Sequence, residues 1–358
     1  MFNDDNVAVD NLHTVLGWYE LFPEFKTNDL YISGESYAGI YVPYLLNAIH
    51  HYNQVNLGNS SAFKPPVKGM MVGNGVTNWK YDGTPGAFEM AYWHSLIPKD
   101  LYDKAHLLGC TLQGVGGWPS EACQDIEGQF DSLFFSNDKS KALLNIYDIF
   151  GICWIGNTKT YGAEEYGLRT NKAGGLEKYK KAFTAADYTP WAVKHRKDSH
   201  ENNLGMLPAC TFGQPLIDYL GQDDVKKALH VSNSPKAWTL CVGAADGWHY
   251  TRFAVGSQWV WEGLKGRYRM LKYSGDTDAA VPTTGTRMWI DSMNRDILDP
   301  WRPYNFTNEF GRNETGGYVE EYEGLTLATI HGAGHMTPQF KPRETYHVIF
   351  RWLKGERI

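Results

Sequence analysis

No uninterrupted apolar run in this chain approaches the about 18 residues that a membrane-crossing helix requires, so no membrane span is expected. Basic runs are also missing, and the net charge is −6. A nucleic-acid partner needs a clustered positive face, so that class is set aside. No Cys-x-x-Cys pair stands with a matching His or Cys pair, so no zinc site is expected, and neither metal nor cofactor is called for. No internal repeat is evident. The opening Met1-Phe2-Asn3-Asp4-Asp5-Asn6 lacks the basic and apolar regions of a secretion signal, which taken alone points to the cytosol.

A chain of 358 residues can bury a large core, as one α/β domain or as one domain with an insertion. Apolar residues make up 42% and charged residues 21%, a globular balance. The aromatic share of 14% suits a wide groove for an organic ligand and a large core equally well. The cysteines form an odd set: Cys110, Cys123, Cys153, Cys210 and Cys241. The first two lie close together in a Gly/Trp/Pro-rich loop, where a short disulfide is plausible. Asn-x-Ser/Thr acceptor sites occur at Asn59, Asn305 and Asn313, each in a polar stretch with the character of surface. Together these features outweigh the opening residues and favour a secretory-pathway protein whose signal is not in this chain.

Residues 11–22 read as an amphipathic helix ending near Pro23, Leu30–Ser33 as a buried strand, and Ile40–Tyr52 as a helix with Pro43 in its first turn. Val67–Gly75 is a second apolar strand closed by glycines, and the alternation implies a parallel sheet. Between Tyr81 and Tyr219 helical stretches such as Lys139–Phe150 mix with cysteines and glycine-rich loops. Within it, Thr158–Asn203 is polar, with the clusters Lys178-Tyr179-Lys180-Lys181 and Lys194-His195-Arg196-Lys197, and reads as an exposed loop. Strand character returns at Tyr268–Ser274 and Leu325–Ile330, and Arg343–Lys354 closes the chain as a helix. The expected organisation is a core over 1–80 and 220–358 with a helical cap inserted at 81–219.

Leu30-Tyr31-Ile32-Ser33-Gly34-Glu35-Ser36-Tyr37-Ala38-Gly39 places one serine at the tip of a small-residue turn between strand and helix, a nucleophile elbow. Serine needs a base to remove its proton, and a histidine base needs a carboxylate to fix its tautomer. Asp278 and His335 supply these types, each just after a strand, where parallel sheets place their sites. Asp276 competes as the acid and fits better as a turn cap, and His331 competes as the base. Glu35, beside the serine, has two open readings: a hydrogen-bonded support for the elbow, or a proton-sharing site for a substrate carboxylate that works best in acid.

Ile32–Gly39, Gly69–Gly75, Ser274–Pro282 and Gly332–Pro338 resemble, in order, the motif segments of the serine carboxypeptidases, across essentially the whole chain. The resemblance implies an α/β-hydrolase fold and Ser36, Asp278 and His335 as a triad. It also implies the Tyr37 N–H as an oxyanion donor, Glu35 and Tyr37 at the substrate, and a preference for apolar C-terminal residues from Met336. It implies the disulfides Cys110–Cys123 and Cys153–Cys210. The substrate would be a peptide or protein C-terminus, cleaved through an acyl-enzyme at acidic pH in a lysosome, a vacuole or outside the cell; a homodimer is compatible with it. Family members carry an upstream Gly-Gly-Pro-Gly-Cys-like segment that is not found here, and only 29 residues precede the first strand. The expectation is that the first strands of the sheet are missing, leaving an open edge beside the nucleophile strand, with Cys241 as the thiol whose partner is absent. Two further functions stay open on these residues: an acyltransferase using the same acyl-enzyme, and a catalytically silent fragment or binding partner.

Overall fold

Asn3 sets where the chain's first helix begins. In the computed structural model its side chain accepts from Asn6 N at 2.9 Å, and Asn6 Oδ1 accepts from Asn3 N at 2.8 Å, a reciprocal cap. Asp4 and Asp5 in the first turn complement the helix dipole. Helix α1 therefore spans Asp4–Leu21, an earlier start than its apolar spacing predicts, and Pro23 follows its end. The structure describes residues 2–110, 120–134, 143–151, 214–231, 237–239, 249–308 and 310–358.

Strands β1 (Phe2–Asn3) and β4 (Tyr250–Thr251) form a small parallel pair. The main sheet has six strands in the order β2-β3-β5-β8-β7-β6. Strands β2 (Leu30–Glu35), β3 (Val67–Gly73), β5 (Arg269–Gly275) and β8 (Leu325–Ile330) run parallel, with Glu35 beside Gly73, Gly73 beside Tyr273, and Gly275 beside Ile330. That register brings the ends of the parallel strands to one rim. Strands β7 (Asn313–Tyr322) and β6 (Ile297–Thr307) extend the sheet antiparallel. The sequence does not announce this hairpin, because Pro300 and Pro303 argue against a strand. β6 lies at the sheet edge, where a proline removes no ladder donor that is needed.

The central strands are buried on both faces. Met270 on β5 joins Leu46, Ile49, Val72, Trp261 and Trp289 on one side; Leu271 joins Met71, Ala328, Val348 and Trp352 on the other. Each fully buried Leu, Ile, Val or Met among them contributes about 1.5–3 kcal/mol. β2 differs: its residues are half-buried, Ser33 is exposed, and β3 is its one strand neighbour among the described residues.

Helix α2 (Ala38–Val55) starts two residues before the predicted Ile40, which moves Pro43 from its first turn into its second. A proline there leaves the carbonyl four residues back without its helical donor. Ser257 Oγ donates to that Gly39 carbonyl at 2.5 Å.

The chain divides into two compact units, Met1–Phe130 with Tyr250–Ile358, and Asp131–His249. The first contains the sheet. In the second, helices span Gln214–Leu220 and Asp223–Ala228. Residues 143–150, the described part of the predicted helix at 139–150, are turns and bends. The predicted loop at 158–203 and Cys153, Cys210 and Cys241 fall outside the described residues. No helix among the described residues is long and apolar enough to cross a membrane.

Candidate active site

Ser36 follows β2 with φ of 62°, the left-handed region that most side chains avoid. Holding a non-glycine residue there costs about 1–3 kcal/mol, and the surrounding turn supplies the restraint. Ser36 N donates to Gly73 O at 3.2 Å, while Ser36 O accepts from Gly39 N at 2.9 Å and Val76 N at 3.0 Å. Steric limits explain the small residues. A Cβ at Gly34 would sit 2.5 Å from Ala38 Cβ, and one at Gly39 would sit 2.1 Å from Val76 O. Position 38 therefore needs a small side chain, and alanine serves. The Tyr37 N–H, just ahead of α2, has no acceptor among the described residues.

Asp278 and His335 come from the turns after β5 and β8, and both are buried. Asp278 Oδ2 and His335 Nδ1 lie 2.7 Å apart. The same carboxylate accepts from Asn74 Nδ2 at 2.8 Å, Val281 N at 3.2 Å and, through Oδ1, Ala280 N at 2.8 Å. The two competitors pair with each other instead. His331 Nδ1 meets Asp276 Oδ2 at 2.8 Å, with the histidine side chain 69% exposed, and Asp276 Oδ1 accepts from Gly332 N at 2.7 Å.

Glu35 is half-buried and its carboxyl group makes no hydrogen bond among the described residues. Burial raises its carboxyl pKa above the usual range, His335 opposes the rise and Asp278 adds to it. The Tyr273 hydroxyl is pushed up to about 12, by burial and then by the Glu35 charge. Met336 packs against the core cluster around Leu271, Phe340 and Val348. The side chain of Tyr37 is anchored: its hydroxyl donates to Asp4 Oδ1 at 2.9 Å, Tyr250 OH donates to the same oxygen at 2.8 Å, and Phe253 N donates to Asp4 Oδ2 at 2.7 Å.

Sequence reasoning missed three residues that build this site. Asn74, at φ 37°, joins the turn after β3 to Asp278. Asp4 is a buried acid in a first turn that resembles ordinary helix capping. Lys272 is a buried cation in β5, and its one signal is a charge inside an otherwise apolar strand core. Elsewhere, Cys110 and Cys123 form a disulfide. Asn59, Asn305 and Asn313 are all exposed, the last two on the β6–β7 hairpin. Among the described residues no group of three or more His, Cys, Asp or Glu could hold a metal ion.

A mixed sheet with helices on both faces, a serine in an elbow after one strand, and an acid and a histidine after later strands define the α/β-hydrolase fold. The family profile described as "Serine carboxypeptidase" matches residues 1–355. Serine carboxypeptidase-like 21 of Arabidopsis thaliana is 32% identical, covering 99% of this chain and 71% of that protein. Serine carboxypeptidase 1 of Hordeum vulgare is 31% identical over 99% of this chain and 69% of its own length. The crystal structure of Kex1(delta)p, a prohormone-processing carboxypeptidase from Saccharomyces cerevisiae, shares the fold with a TM-score of 0.62 and 17% identity, over 99% of this chain and 68% of that one. The chain belongs to the serine carboxypeptidase family of hydrolases.

Proposed function

We propose that this protein is a serine-type carboxypeptidase that releases C-terminal amino acids through an acyl-enzyme. The observation that carries the reading is the buried 2.7 Å bond between Asp278 and His335, in a unit that also holds Ser36 in a strained elbow. Asp278 fixes the His335 tautomer so that Nε2 faces the reaction. His335 takes the Ser36 proton as Oγ attacks the last peptide carbonyl, and the Tyr37 N–H donates to the developing oxyanion. The protonated imidazole then gives its proton to the leaving amine. Water, deprotonated by His335, attacks the ester carbonyl; Ser36 Oγ leaves with that proton, and the acid is released.

Glu35, with its raised carboxyl, receives the substrate's terminal carboxylate by sharing a proton, which favours acidic conditions. Met336 lies beside the leaving residue and favours apolar side chains. The disulfide and the exposed acceptor asparagines fit a secretory compartment, lysosomal, vacuolar or extracellular. The test supplies peptides and acyl-glucose esters side by side to the wild-type chain and to Ser36→Ala. Release of C-terminal residues in acid by the wild type alone is expected. Release that persists in Ser36→Ala refutes the assignment, and acylation of Ser36 by the glucose ester alone replaces it with acyl transfer.

A further inference from the structure

Lys272 is fully buried, the one lysine so placed among the described residues. Isolating an ammonium ion in a protein interior is costly unless opposite charge and acceptors surround it. Its Nζ donates to Gly75 O at 2.5 Å and lies 5.9 Å from the Trp289 ring centre. Two carboxylates act on it electrostatically, Asp82 and then Asp278. Asp82 is also buried; its Oδ2 accepts from Thr77 N at 2.6 Å and Asn78 N at 2.8 Å, while its Oδ1 is buried with no partner.

Both groups therefore converge on one segment, Asn74–Asn78. That segment holds the elbow through Val76 N to Ser36 O, and holds the acid through Asn74 Nδ2 to Asp278 Oδ2. Its backbone passes so close to Gly39 that no Cβ fits between them. A shift of this turn would move Ser36 and Asp278 together.

We propose that Lys272, through its bond to the Gly75 carbonyl, and Asp82, through its bonds to Thr77 N and Asn78 N, fix the Asn74–Asn78 turn, which makes Lys272 a positioning residue for the relative placement of Ser36 and the Asp278–His335 pair. The inference rests on the carboxypeptidase reading for its kinetic arm alone. Burial pushes Lys272 down to about 8 and Asp82 up to about 6, with their mutual attraction opposing both shifts. The other titratable groups acting on this network are Asp278, which acts on Lys272 directly, and His335 and Glu35, which interact with Asp278.

Lys272→Met keeps most of the side-chain length and removes the charge, but strands Asp82; Lys272→Met/Asp82→Asn removes both charges. Three measurements separate the roles: kcat and KM on a blocked dipeptide across pH, the downfield proton resonance of His335 Nδ1–H, and the melting temperature. The expected result is a kcat loss of about tenfold to a hundredfold with KM nearly constant, and a displaced resonance. The double variant should regain melting temperature without regaining kcat. Recovery of kcat along with melting temperature would make Lys272 merely structural and overturn the proposal, as would wild-type kcat and resonance in Lys272→Met. Should the wild type release no amino acid, the peptidase reading fails and the resonance decides: displaced supports the positioning role, unchanged overturns it.

Discussion

Asn74→Ala tests whether the turn after β3 holds the acid in place. Asn74 is fully buried, and its Nδ2 donates to Asp278 Oδ2 at 2.8 Å and to Ser274 Oγ at 3.2 Å. Its Oδ1 accepts from Gly275 N at 2.8 Å. Truncation removes a bond to a carboxylate, about 1.5–3 kcal/mol, and leaves a buried N–H without its acceptor, about 1–3 kcal/mol. Alanine at φ 37° adds about 1 kcal/mol of backbone strain. The expected destabilisation is about 3.5–7 kcal/mol, a large fraction of a typical folding free energy. Urea unfolding followed by tryptophan fluorescence measures it, with labelling of Ser36 by a fluorophosphonate as the functional readout. Asn74→Gly loses the same bonds but relieves the backbone, so it should recover about 1 kcal/mol and no labelling rate. A loss under about 1 kcal/mol in Asn74→Ala, with Ser36 labelled at the wild-type rate, would refute the reasoning.

Glu35→Gln should change the pH dependence of stability. A carboxyl whose folded pKa is raised favours folding most below its unfolded pKa, and that contribution is lost as pH rises through the folded value. The variant should therefore melt higher than wild type at neutral pH, with the gap closing in acid; a gap independent of pH between 4 and 8 contradicts this. Gly39→Ala places a methyl carbon 2.1 Å from Val76 O, where backbone rather than a flexible side chain must yield. A loss of about 3 kcal/mol or more, with Ser36 labelling abolished, is expected by denaturant unfolding and mass spectrometry. Near-wild-type values in both would show that the elbow and the Asn74–Asn78 turn separate freely.

Much of the fold was legible because local signals coincided with it. Leu325–Ile330 has the predicted bounds, and Leu30, Val67 and Pro342 start elements within a residue of expectation. Helix α1 was read short because its first turn is polar; capping, which is local but not apolar, extends it. The β6–β7 hairpin stayed hidden because its prolines are forbidden only in a strand with two neighbours, and edge position is a property of the assembled sheet. At the site, turn context and the family resemblance favoured Asp278 and His335 over Asp276 and His331, and the packed turns show Asp278 meeting His335 while Asp276 meets His331.

The sequence by itself determined most of the sheet and helix positions around the site, the small-residue elbow at Ser36, and the family, because these follow from side-chain size and order along the chain. Tertiary structure alone showed that the chosen pair, Asp278 and His335, is buried and that Asp276 pairs instead with exposed His331. It also decided that Asp82 and Lys272 converge on the turn that carries Asn74, although Lys272 is 190 residues from Asp82. Burial turns those ordinary polar residues into consequential ones. A charge or amide removed from water must find its partner inside the protein, and no local pattern records who that partner is.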